Sequence, residues 1–162
     1  MPQIASTIRS IRKRHSDAMV LTADIGDHAD RMTVETEGTA GQANRAVLDY
    51  CRYDAVVPGN NEGLTLDKSQ LAELYASDAS YTAICCNMVD YETGKHVPWI
   101  RPYRIFDNGR VKVGMIGVTA DFNDFYHDLG WHLLPPIETV ASWTAWLRPQ
   151  VDLLIVCSHL GL

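Results

Sequence analysis

The sequence predicts a layered α/β fold on a mixed sheet, and three observations carry that expectation. Short apolar runs alternate with segments of helical period up to about residue 86 and again over 137–157, as parallel strands covered by helices require. Between those stretches, two strand-like segments flank Asp107-Asn108-Gly109, the mark of an added antiparallel hairpin. Polar clusters at 24–31, 58–63 and 158–159 each follow a predicted strand, and ligand sites in such sheets collect at that edge.

Each element has a local reason. Residues 2–14 set Ile4, Ile8 and Ile11 on one helical face, with basic residues in the last turn, where they suit the helix dipole. The apolar run 18–23 reads as a buried strand that ends before Asp24. A second helix is expected over 41–52, with Ala43, Val47, Leu48 and Cys51 inward. Residues 54–57 form the next strand, closed by a turn at Pro58-Gly59-Asn60-Asn61-Glu62-Gly63. A helix over 66–76 and a strand over 81–86 follow. The hairpin runs 99–106 and 111–118, its Asn-Gly dipeptide supplying the positive φ values of a type I′ turn. Residues 119–135 read as an aromatic-rich loop that covers the hairpin or caps a ligand. A helix at 137–147 and a strand at 152–157 complete the pattern.

Composition narrows the function. With 162 residues, 46% hydrophobic and 21% charged, the chain is an ordinary globular domain. A net charge of −6 argues against nucleic acid or an anionic membrane as partner. An acidic protein still binds phosphate when metal ions stand between its carboxylates and the substrate. No secretory leader and no apolar run of membrane-spanning length are seen. The four cysteines form no C-x-x-C pair, and adjacent Cys85 and Cys86 point to opposite strand faces. The expectation is reduced core thiols in a cytoplasmic protein.

Three clusters bear chemistry: Gly26-Asp27-His28-Ala29-Asp30-Arg31, Gly59-Asn60-Asn61-Glu62 and Ser158-His159-Leu160-Gly161. Singly, each has an ordinary structural reading, the first two as turns and His159 as a satisfied strand-end residue. Together they offer carboxylate, amide oxygen and imidazole at strand ends, a donor mix that suits Mn²⁺, Zn²⁺ or Fe better than Ca²⁺. Glycines beside the donors let the backbone turn sharply.

In this order the clusters resemble the calcineurin-like metallophosphoesterases, in particular their 5′-nucleotidase and UDP-sugar hydrolase branch. That family's elements are D-x-H, G-D-x-x-D-R, G-N-H-[ED], a histidine after a strand, and G-H-x-H. Asp27, Asn60 and His159 match the second, third and fourth; Pro98-Trp99 and Val113–Thr119 also look like this branch. The resemblance covers roughly residues 18–162. It implies a layered α/β sandwich and two divalent metals, with Asp27 bridging them and Asn60 and His159 on the second. It also implies that Arg31 contacts phosphate and that Asp30 orients the catalytic residue. The substrate implied is a small phosphate ester of nucleotide type, with oligomeric state left open.

Three departures qualify this. No D-x-H precedes the first helix, no G-H-x-H follows His159, and Asn61 stands where the family has its catalytic histidine. The expectation is therefore a partial catalytic domain over 1–162, impaired as it stands, or else a non-catalytic binding or scaffold module on a degenerate fold. An amide donates a hydrogen bond but supplies no proton. His28 is then either a substitute acid or a solvated neighbour.

Overall fold

The computed structural model describes residues 2–30, 32–76 and 78–161. Helix α1, Pro2–Arg14, buries Ala5 and Ile8 but leaves Ile4 43% exposed, so its inward face is turned one residue from the isoleucine stripe. Arg12 holds it to the sheet: its Nη2 donates to Asp54 Oδ2 at 2.7 Å and to Thr22 Oγ1 at 2.9 Å.

Strands β1, Ala23–Asp24, β2, Ala55–Val56, and β3, Thr82–Ala83, form a parallel sheet in that order. All three are shorter than the apolar runs that predict them, and residues 18–22 belong to no strand. Apolar runs report burial, while a ladder also needs a neighbour in register. Helix α2 spans Val34–Glu37, and α3, Gln42–Cys51, turns Leu48 and Cys51 inward.

The predicted turn at 58–63 is corrected. Asn60 begins helix α4, Asn60–Thr65, so Asn60 and Asn61 lie in a first helical turn. Helix α5, Lys68–Leu74, is capped by Asp67, whose side chain accepts from the Ser69 and Gln70 amides at 2.9 Å.

Strand β5, Tyr103–Asp107, and β6, Lys112–Thr119, make the expected antiparallel hairpin. Its connection is not the two-residue turn. The last pair is Asp107 with Lys112, and the Asn108 side chain accepts from the amides of Arg110 and Val111 at 3.0 Å. Strand β8, Leu153–His159, runs parallel to β6 and sets His159 beside Thr119. Helix α7, Pro136–Leu147, packs on this sheet through Leu147.

The span 119–135 is more structured than predicted. Helix α6, Asn123–Tyr126, leads through a short 3-10 turn to strand β7, Trp131–Leu133, which pairs antiparallel with β4, Met88–Asp90. Tyr126, Trp131 and Leu133 join the core of Leu66, Leu71, Leu74 and Tyr75 rather than covering the hairpin. Their spacing resembles a loop because each element is only three or four residues long.

A second core, with Ala55, Val57, Ile84, Met115 and Cys157, draws on strands of both larger sheets and gives the mixed α/β layering the sequence predicts. Buried Asn87 ties the strand ends together. It donates to the carbonyls of Thr119 and Leu134 at 2.9 and 3.3 Å and accepts from the Thr119 amide at 3.1 Å. The cysteines are free and buried, and burial pushes the Cys85 and Cys86 thiols up to about 12. No helix among the described residues is long and apolar enough to cross a membrane.

Trp131 is fully buried, and its indole N–H has no acceptor among the described residues. Trp131→Ala is expected to cost about 3–5 kcal/mol in urea unfolding. Trp131→Phe should cost clearly less, since it keeps an aromatic ring and removes an unsatisfied donor. Equal losses would show that the ring does not carry this core.

Candidate metal centre

The site is built where β1 ends. Gly26 takes φ +107 and Asp27 φ +58, a left-handed conformation uncommon for a residue with a Cβ. A side chain at Gly26 would lie 2.6 Å from His159 Nδ1 and 2.7 Å from the Gly59 backbone. One at Gly59 would overlap the Asp27 carboxylate. The two loops touch backbone to backbone because both positions are glycine.

Glu62 fastens them. It lies in the first turn of α4 with 0% exposure. Its carboxylate accepts from the amides of Asp27 at 3.1 Å, Ala29 at 2.6 Å and Gly59 at 2.6 Å. The last contact is half of a capping box. Asp27 reciprocates, its Oδ1 accepting from the Asn61 amide at 3.1 Å. Reading Glu62 as a turn residue missed this role. The available signal was an acid three residues after Gly59, where a capping box places one.

His159 brings the third loop in. Its Nδ1–H donates to the Ile25 carbonyl at 2.7 Å. The opposite nitrogen, Nε2, then faces Asn60 Oδ1 at 3.1 Å and Asp27 Oδ1 at 3.4 Å. In the neutral ring this sets three lone-pair atoms against one another, an arrangement that calls for a cation between them. A histidine whose far N–H is held by a backbone carbonyl is the usual form of a metal-ligating imidazole. Donors on one ion with bonds of about 2.0–2.2 Å stand roughly 3.0–3.5 Å apart. The donor set therefore fits a divalent metal of mixed oxygen and nitrogen preference.

The structure also brings Asp30 and Asn61 together: the Asn61 amide Nδ2 donates to Asp30 Oδ1 at 3.2 Å. Arg31 lies outside the described residues. His28 is not the solvated neighbour one reading expected, for its side chain is 5% exposed. Its Nδ1–H donates to Asp24 Oδ1 at 2.9 Å, and Nε2 is 3.0 Å from the Tyr75 hydroxyl. Both of its nitrogens are thus engaged. Burial opposes charge on His28, yet the carboxylates of Glu62 and Asp24 raise its pKa above the usual value. Burial likewise opposes charge on Asp24, but the hydrogen bond and charge of His28 hold it below the usual carboxylate range.

Beside the centre opens a cleft of about 460 Å³ whose lining includes Asp24, Asp27, His28 and Asp30 as well as Val47, Leu48 and Cys51. The other histidines lie apart from it. His15 is exposed, whereas His96 is partly buried with Nδ1 unpartnered among the described residues.

No family model matches the sequence. The chain is 36% identical over 165 residues to an uncharacterized metallophosphoesterase, YunD, of Bacillus subtilis (strain 168), a match that takes in 99% of this chain and 35% of that protein. The NAD nucleotidase of Haemophilus influenzae has the same fold, with a TM-score of 0.81, 20% identity, and coverage of 98% of this chain and 31% of that one. So does a 5′-nucleotidase precursor of Thermus thermophilus, at 0.80, 23%, 97% and 31%. The chain thus spans about a third of the length of the proteins it matches.

Glu62→Gln replaces one acceptor oxygen with an NH₂ group among three backbone donors. It is expected to destabilise the chain by about 1–3 kcal/mol. Hydrogen exchange should quicken at the Asp27, Ala29 and Gly59 amides before it does in β6. Exchange that rises uniformly, or not at all, would remove Glu62 from this role.

Proposed function

The chain belongs to the metallophosphoesterases, and on that premise we propose that it furnishes part of the two-metal centre of a phosphoester hydrolase. The observation that supports this best is the convergence of Asp27 Oδ1, Asn60 Oδ1 and His159 Nε2 within 3.1–3.4 Å contacts. These three are the proposed ligands, for Mn²⁺, Zn²⁺ or Fe. The other ligands of such a centre are proposed to lie outside residues 1–162. Bound metals supply positive charge to a phosphoryl oxygen and lower the pKa of water. The proposed substrate is a small phosphate ester of nucleotide type, in line with the names of the two nucleotidases that share the fold.

The chain's own residues then have distinct tasks. The Asn61 amide N–H orients the Asp27 carboxylate, and His159 is turned by the Ile25 carbonyl. Asp30 fixes the Asn61 side chain through one of its two N–H bonds, and the other, which no acceptor among the described residues takes, would donate to a leaving oxygen. His28 is buried with both nitrogens engaged, so we assign it to support of the loop rather than to proton transfer. Arg31 is proposed to contact the phosphoryl group.

The full-length protein is expected to hydrolyse nitrophenyl phosphate with Mn²⁺. Asp27→Ala and His159→Ala should each lower kcat/KM by roughly 10²-fold or more, beyond the range for outer-sphere residues. Metal binding without turnover would favour the non-catalytic module. Replacing Asn61 gives a separate expectation. Asn61→His introduces a proton donor beside Asp30, and general acid assistance is worth roughly 10²–10⁴-fold at most. Nucleoside monophosphate, whose alkoxide needs a proton, should gain more than nitrophenyl phosphate, whose leaving group does not. Equal changes in kcat/KM for both would exclude Asn61 from leaving-group chemistry.

A further inference from the structure

Away from this centre, two other histidines meet. His127 opens the 3-10 turn after α6, and His132 lies in β7. Nε2 of His127 and Nδ1 of His132 face one another at 3.0 Å. Three features hold the rings in place. Tyr91 stacks on His127, with centroids 4.3 Å apart and planes 18° from parallel. The β4–β7 ladder fixes His132 opposite Val89. Gly130, at φ +82, turns the chain back between them. Both imidazoles are partly buried, and at that distance one ring donates its N–H to the lone pair of the other.

We propose that His127 and His132 form a chelating site for a single Zn²⁺, Ni²⁺ or Cu²⁺ ion, which replaces the shared proton. Two imidazole nitrogens bound to one such ion at about 2.0–2.1 Å stand roughly 2.9–3.4 Å apart, close to the spacing already present. The exchange balances without net proton release: the ring that donates between the pair passes its proton through solvent to its own far nitrogen, and the accepting ring already carries its proton there. Both facing nitrogens then donate their lone pairs to the cation. Among the described residues no third histidine, cysteine, aspartate or glutamate completes a cluster there, so water fills the other positions.

The all-nitrogen donor set separates this site from the first centre. Imidazole selects Zn, Ni and Cu, whereas Mn²⁺ and Mg²⁺ prefer oxygen ligands. The chelate also has a structural effect, because a bound ion ties the 3-10 turn to β7. Any ligand that binds only the folded chain stabilises it by mass action.

The test is a Zn²⁺ titration of the folded wild-type protein, followed by assigned histidine ring resonances. His127 and His132 are expected to move together along one saturation curve, separate from that of His159, and Mn²⁺ should leave the pair unmoved. His127→Gln and, independently, His132→Gln should abolish the response while circular dichroism stays the same. Should a variant fail to fold, the wild-type curves still decide. Rings of His127 and His132 that stay still as Zn²⁺ is added would overturn the proposal. So would a response that survives in either folded variant.

Discussion

A carboxylate with no solvent exposure is costly unless hydrogen bonds replace its water, and Glu62 meets that condition with three backbone amides drawn from two loops distant in sequence. The dependence runs both ways. Those amides would otherwise lie unpaired against one another, and Asp27 would have little reason to keep its left-handed backbone. Because α4 begins immediately after Gly59, Glu62 also fixes the direction in which Asn60 and Asn61 leave the sheet. The geometry around His159 follows from this. Asp27 and Asn60 are thereby set side by side, and the imidazole closes on both.

The larger sheet supplies the remaining precision. Strand β8 stays in register with β6 from Leu153 to His159, and Asn87 clamps the end of β6 at Thr119. His159 is thus carried by the longest ladder in the described chain, whereas Asp27 and Asn60 lie a few residues beyond two-residue strands. A rigid arm meeting two short, stapled loops explains how donors from three elements arrive within hydrogen-bonding distance.

Much of this was legible in the sequence. Alternating periods gave the order of helices and strands, and polar clusters after apolar runs marked Asp27, Asn60 and His159, which the fold brings together. The limits are physical too. Periodicity reports which residues are buried but not how many pair, so strands of two residues read as runs of four to six. The segment Pro58–Gly63 has turn-like composition because the same small and amide residues start helices. Glu62 and His28 were missed as buried groups since acids and imidazoles are usually solvated. Only the partners Asp24, Tyr75 and three amides make their burial tolerable, and apart from the capping-box spacing of Glu62 after Gly59 no local pattern encodes them. Asn108 promised a tight turn, yet its side chain caps a longer one instead.

The contact between Gly26 and Gly59 carries an evolutionary consequence. Neither position can gain even a methyl group while the other loop stays where Glu62 holds it. The obstacle at each site includes the main chain of the other loop, so a compensating side-chain change cannot relieve it. Drift at these two positions is therefore blocked in every order of single steps, whatever ligand the site holds. A lineage that lost the activity but kept Glu62 would still retain both glycines, as a fossil of how the loops were packed.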